Sequence, residues 1–156
     1  MAKRRVQRAR DGSFKLQLTD DERDLVATLA AQLRELLVSD ETDGTERLFP
    51  PGYANDPDRE AEYHLLTHDE LLQSRLAAVD IVELSLTQTS LDVDELTAWM
   101  GAVNALRLVL GTRLDISEDM EMIDYDDPRA GAFVVYDYLT HLLGEIVEAL
   151  DETLDY

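Results

Sequence analysis

The chain has 156 residues, 34 Asp and Glu against 14 Lys and Arg, a formal net charge of −20, and no cysteine. That length is one domain's worth and can bury a core without staples, while the missing thiols exclude disulfides, thiolate metal ligands, cysteine nucleophiles and direct thiol redox sensing. The acidity repels nucleic acid and anionic lipid at long range wherever positive charge is not locally concentrated.

Only the opening stretch, MAKRRVQRARDGSFKLQL, concentrates such charge. Lys3, Arg4, Arg5, Arg8, Arg10 and Lys15 stand there against Asp11, a head of +5 on a remainder of −25. Asp11-Gly12 suits a tight turn, and Phe14, Leu16 and Leu18 alternate with Lys15 and Gln17. The pattern predicts a β-hairpin of residues 4–10 and 13–18 whose apolar face packs on the remaining chain, because a lone two-stranded ribbon is marginal in water. The first eleven residues carry charge but no apolar core region, and no later stretch approaches the roughly 18 apolar residues of a membrane span. A cytoplasmic protein is expected.

Thr19-Asp20-Asp21-Glu22 has the form of a capping box. A helix follows to about Val38, with Leu25, Leu29, Leu33 or Gln32, and Leu36–Leu37 as its apolar recurrence. Residues 39–56 read as loop from their Gly, Pro, Asp and Thr. Asp56-Pro57 opens a helical segment to about Thr87. A second box at Thr67–Glu70 predicts either two helices or a kink there, the later half burying Leu72, Leu76, Val79, Val82 and Leu86. Asp92 and Glu95 cap a helix over 93–114, with Leu96, Trp99, Val103, Leu106, Leu110 and Leu114 on one side. The last helix runs from Asp127-Pro128 to about Leu150, with Phe133, Tyr136, Leu139, Leu143, Ile146 and Leu150 inward. It is apolar around most of its circumference, so a central position is expected for it.

Four or five such helices can hide their stripes only against one another. The expected fold is mainly α: a helical bundle over 19–150, a basic β-hairpin arm at 1–18 packed on it, and an acidic tail at 151–156. Equal stripes would serve a monomer or a homodimer alike.

Three segments resemble an actinobacterial family catalogued as domain of unknown function 2017: RLFPPGYANDPDREAEYHLL at 47–66, AWMGAVNALRLVLGTRL at 98–114 and VVYDYLTHLLGEIVEAL at 134–150. With the basic hairpin they cover nearly the whole chain in the family's order. Some members are named AosR, transcriptional regulators of the oxidative-stress response. The resemblance implies a regulator of that kind, and without a thiol either its signal arrives through a partner or its mechanism differs from that of the named regulators.

Glu60, His64 and His68 recur every four residues, a spacing able to hold a transition metal on an uninterrupted helix, although tetrahedral zinc needs a fourth ligand. A solvated polar face is the simpler reading. Asp137, His141 and Glu145 form a second such row, suited to general base chemistry. It has no nucleophile in a recognisable context, so a polar ridge against a neighbouring element is favoured. Asn104, Arg107 and Gly111 share a second face of the Trp99 helix, where the arginine would call for a carboxylate, with Asp80 or Asp137 as candidates.

Residues 115–128, DISEDMEMIDYDDP, combine acids with apolar side chains but lack the central glycine of a calcium loop. The plain reading is an acidic loop. The functional reading is a docking strip for a basic protein, carried by Glu118, Asp119, Met120, Glu121, Met122 and Tyr125. RLFPPGY reads as a loop folded over the bundle end. The ribbon residues Lys3, Arg4, Arg5, Arg8 and Arg10 can neutralise the acidic body, contact a protein, or grip phosphates. Electrostatics ranks them in that order, because no helix here is basic enough to read bases and five net charges give weak, salt-sensitive DNA binding at best.

The expectation is therefore a non-enzymatic regulator acting through protein contacts, with RNA polymerase or a sigma factor as the implied partner, no cofactor and no membrane. An adaptor unrelated to transcription is the alternative, and an acid/base or metal-dependent enzyme a further one.

Overall fold

A computed structural model describes residues 4–39, 57–114 and 129–151, with backbone alone for 57–68. In chain order the elements are β1 (Val6–Arg8), β2 (Phe14–Leu16), α1 (Asp20–Val38), α2 (Pro57–Ser85), β3 (Ser90–Leu91), α3 (Val93–Arg113) and α4 (Ala130–Asp151). The fold is mainly α, as the periodicities imply: among the described residues, a bundle of four helices with the hairpin at one end.

The hairpin pairs Val6 with Leu16 and Arg8 with Phe14. Its turn is a three-residue loop: the Gly12 N–H donates to the Ala9 carbonyl at 3.2 Å and the Ala9 N–H to that of Ser13 at 2.7 Å. Gly12 adopts φ +90°, the conformation expected of the glycine closing such a loop. Asp11 accepts from the Ser13 N–H at 3.0 Å and its hydroxyl at 2.6 Å, and these bonds hold the Asp11 carboxyl below its ordinary range.

The periodicity missed one strand. β3 lies antiparallel to β2, pairing Leu91 with Phe14, and the Leu16 N–H donates to the Thr89 carbonyl at 2.9 Å. Two residues cannot display an alternation, and the Asp92 cap follows at once. One face of the resulting sheet buries Val6, Phe14, Leu16 and Leu91 almost completely, while Gln7, Lys15 and Ser90 stand exposed on the other.

Two of the three expected boxes form. Thr19 and Glu22 exchange backbone-to-side-chain bonds of 3.1 and 3.2 Å at the start of α1, and Asp92 and Glu95 do the same at 2.7 and 2.9 Å on α3. The box at Thr67 breaks nothing, and α2 runs uninterrupted from Pro57 to Ser85. A residue can act as a cap only where its own backbone is non-helical, as at Thr19 and Asp92, and Thr67 lies inside a helix that continues through it. The expected start of the last helix at Asp127-Pro128 lies outside the described residues, and α4 is in place from Ala130.

The central helix is α3, not α4. α3 packs on α2 and α4 and reaches α1 and β3, whereas α4 packs on α3 and β1. The apolar circumference of α4 misled because it includes residues left in water, Val134 and Val147 among them. α3 is enclosed through small residues that weigh little in a hydropathy pattern: Ala102, Ala105 and Gly111 are buried beside Leu96, Trp99, Val103, Leu106 and Val109. On α1 the buried line is Val26, Ala30, Leu33 and Leu37, one step round from the expected Leu25 and Leu29, which are half-buried at its margin. Trp99 is fully buried, and its indole N–H donates to the Ser85 hydroxyl at 2.8 Å. Ser85, the buried polar residue of the described core, in turn donates to the Ile81 carbonyl at 2.5 Å.

Candidate interaction surface

The basic ribbon is held by carboxylates of its own chain. Arg5 lies where β1 meets α4 and the first turn of α1. Its backbone N–H donates to Glu145 Oε1 at 2.7 Å, and its guanidinium reaches Glu145 Oε2 at 3.1 Å and Glu22 Oε2 at 2.5 Å. The same guanidinium sits 5.1 Å from the centre of the Tyr138 ring, whose hydroxyl donates to Glu22 Oε2 at 2.8 Å. Glu22 thus uses one oxygen to cap α1 and the other to receive Arg5 and Tyr138. Arg4 adds a more exposed pair to Glu148 at 3.1 Å.

The electrostatics follow from these contacts. Burial pushes the Glu22 carboxyl up, but the hydrogen bonds from Tyr138, Arg5 and the Thr19 backbone outweigh it and hold the group below its ordinary range. The bond to Glu22 chiefly, against some burial and with help from Glu145, ties the proton to Arg5 more firmly. Burial, then the bond to Glu22, pushes the Tyr138 phenol well above its ordinary value. The cluster is charged and locked at neutral pH.

Of the ribbon residues singled out in the sequence, Arg5 is enclosed and Arg4 is paired. The sheet register puts Arg8 on the buried face beside Phe14, where it is half-buried. Arg10 is exposed in the turn, and Lys3 lies outside the described residues. The acidic strip with Glu118, Asp119, Met120, Glu121, Met122 and Tyr125 also lies outside them, as do the RLFPPGY loop and the side chains of Glu60, His64 and His68. Among the described residues no three His, Asp or Glu side chains are grouped to hold a metal ion.

The Asp137–His141–Glu145 row is divided between two environments. His141 and Asp137 face water, with His141 Nδ1 at 2.8 Å from the Asp137 carbonyl oxygen, while Glu145 turns to the ribbon. Arg107 does not take the carboxylate expected of it. Its Nε–H donates to Thr140 Oγ1 at 3.1 Å and its guanidinium lies 5.4 Å from the Tyr136 ring centre, so a hydroxyl and an aromatic face replace the anion at this half-buried position. Asp80 instead joins Glu83 in binding Arg34 across α1 and α2, at 2.5 and 2.8 Å.

These pairings set the sign of the surface. Of the eleven Lys and Arg whose side chains are described, only Arg10, Lys15, Arg113 and Arg129 are exposed, whereas fourteen of the seventeen Asp and Glu are. Bases are spent between elements and acids face outward. The sequence reveals the ribbon but not its partners Glu22, Tyr138 and Glu148. A carboxylate in a capping box directly after a basic ribbon was the available signal for Glu22; Tyr138 and Glu148 had none.

The described residues form an acidic helical bundle capped by a small antiparallel sheet. Its sequence matches the model of the family described as domain of unknown function (DUF2017) over residues 3–150, and the chain belongs to that family. No curated protein and no solved structure matches it.

Proposed function

We infer that this chain is a non-enzymatic regulator of transcription in the oxidative-stress response, working by contact with a protein that presents a basic surface, such as RNA polymerase or a sigma factor. The response and the transcriptional setting come from the resemblance to the AosR regulators. The mode rests on one observation: most of the described cations are engaged in contacts within the molecule, while most of the described carboxylates face solvent. Such a surface steers a basic protein toward it and repels phosphate backbones. The ribbon is a poor DNA grip, because Arg4 and Arg5 would have to leave Glu148, Glu22 and Glu145 to reach a phosphate.

Affinity capture from lysate at low and at about 150 mM salt tests the reading. Recovery of RNA polymerase or a sigma factor, weakening with salt, supports it. Recovery of metabolic or proteolytic proteins alone, or tight sequence-dependent DNA binding that survives the higher salt, overturns it.

A further inference from the structure

α1 and α4 share few contacts except at the hairpin end, and between them lies a partly open cavity of about 70 Å³ against α3. Its walls are leucines, Leu29 and Leu36 from α1, Leu110 from α3 and Leu139 from α4. Besides further apolar side chains of α1 and α3, two polar residues line it, Gln32 and Arg113, both exposed. Arg113 makes no ion pair or hydrogen bond through its side chain with any described residue. In a chain of net charge −20, a guanidinium that pairs with no described residue and stands beside an apolar slot marks the one positive charge in that lining.

The geometry points to a binding site for a free linear alkyl carboxylate, its chain end among the leucines and its head on Arg113. Size argues for a single chain. The slot has roughly half the volume of a dry cavity of about 150 Å³ that holds benzene, so it accommodates the last few carbons of an alkyl tail. It is one socket, where docking a helix takes a groove with anchors at successive turns. Charge argues for an anionic head: a guanidinium pairs with a carboxylate in bidentate fashion. Arg113 is the charged residue in the lining itself, and at physiological salt, where screening sets in over about 8 Å, the charge in direct contact has the largest say.

The test is calorimetric titration of the full-length protein with octanoate, 1-octanol and octylamine, with methyl chemical shifts locating the contact. Octanoate is expected to bind saturably at one site and shift the methyls of Leu36, Leu110 and Leu139. Arg113→Gln should weaken octanoate about tenfold, the value of one charged hydrogen bond, and leave 1-octanol unchanged. Leu110→Phe, with Leu36→Phe as a second filling variant at another wall, should abolish binding while the thermal melt stays cooperative. The proposal is overturned by absence of saturable binding, by octylamine binding as well as octanoate, by Arg113→Gln changing nothing, or by binding that survives both filling variants. If the filling variants instead dissociate a homodimer, the slot is a subunit contact and the proposal falls. None of these outcomes depends on which proteins co-purify with the chain.

Discussion

The Tyr138 hydroxyl donates to the Glu22 carboxylate at 2.8 Å, joining α4 to the cap of α1 across 116 residues of sequence. Because that bond and its burial favour the neutral phenol, the folded-state pKa lies above the ordinary 10.0. A raised pKa contributes stability that is complete below the unfolded value and is lost as pH climbs through and beyond it. Denaturant melts of the wild type should therefore lose stability above about pH 10, and Tyr138→Phe should flatten that slope. Absorbance of ionised tyrosine should show Tyr138 titrating only with unfolding.

The opposite sign holds for Glu22, whose folded pKa is depressed below 4.5. Its contribution is present above the unfolded value and disappears as pH falls through the folded one. Glu22→Gln should remove part of the acid-limb slope below about pH 5 and cost about 1–2 kcal/mol at neutral pH, from a weakened cap and a loosened Arg5. By contrast, Arg34→Ala, whose partners Asp80 and Glu83 face water, should cost under about 1 kcal/mol. A double-mutant cycle of Arg5→Ala with Glu22→Gln should show coupling, and additivity would contradict the lock.

Ser85→Ala leaves the buried indole N–H of Trp99 without its acceptor. Stranding such a donor costs about 1–3 kcal/mol, and Trp99→Ala should cost about 3–5 kcal/mol through the cavity it opens. Thermal melts followed by circular dichroism check both values.

Gly12→Ala introduces no clash, since nothing lies within 4 Å of the added carbon, yet Gly12 sits at φ +90°. The penalty is purely conformational, roughly 1–2 kcal/mol. It should fall on the hairpin, so hydrogen exchange at Leu16 and Gln17 should quicken more than exchange in α3.

Local chemistry made much of the architecture readable. The boxes at Thr19 and Asp92 start helices because side chain and backbone satisfy one another within four residues. The turn at Gly12 is likewise a property of its own φ. Thr67–Glu70 has the same Thr-x-x-Glu spacing and starts no helix, since a box needs non-helical backbone at the cap residue itself and Thr67 is inside α2.

The amino-acid order by itself determined a mainly helical bundle, a basic ribbon and an acidic remainder, because helical period, caps and formal charge are short-range or additive properties. Tertiary structure alone decided that α3 is enclosed while α4 is partly exposed, that β3 joins the sheet, that Arg107 faces Thr140 and Tyr136, and that Arg5 is locked to Glu22 and Glu145. Each of these depends on which distant surfaces meet, and burial and pairing are properties of the meeting rather than of either partner.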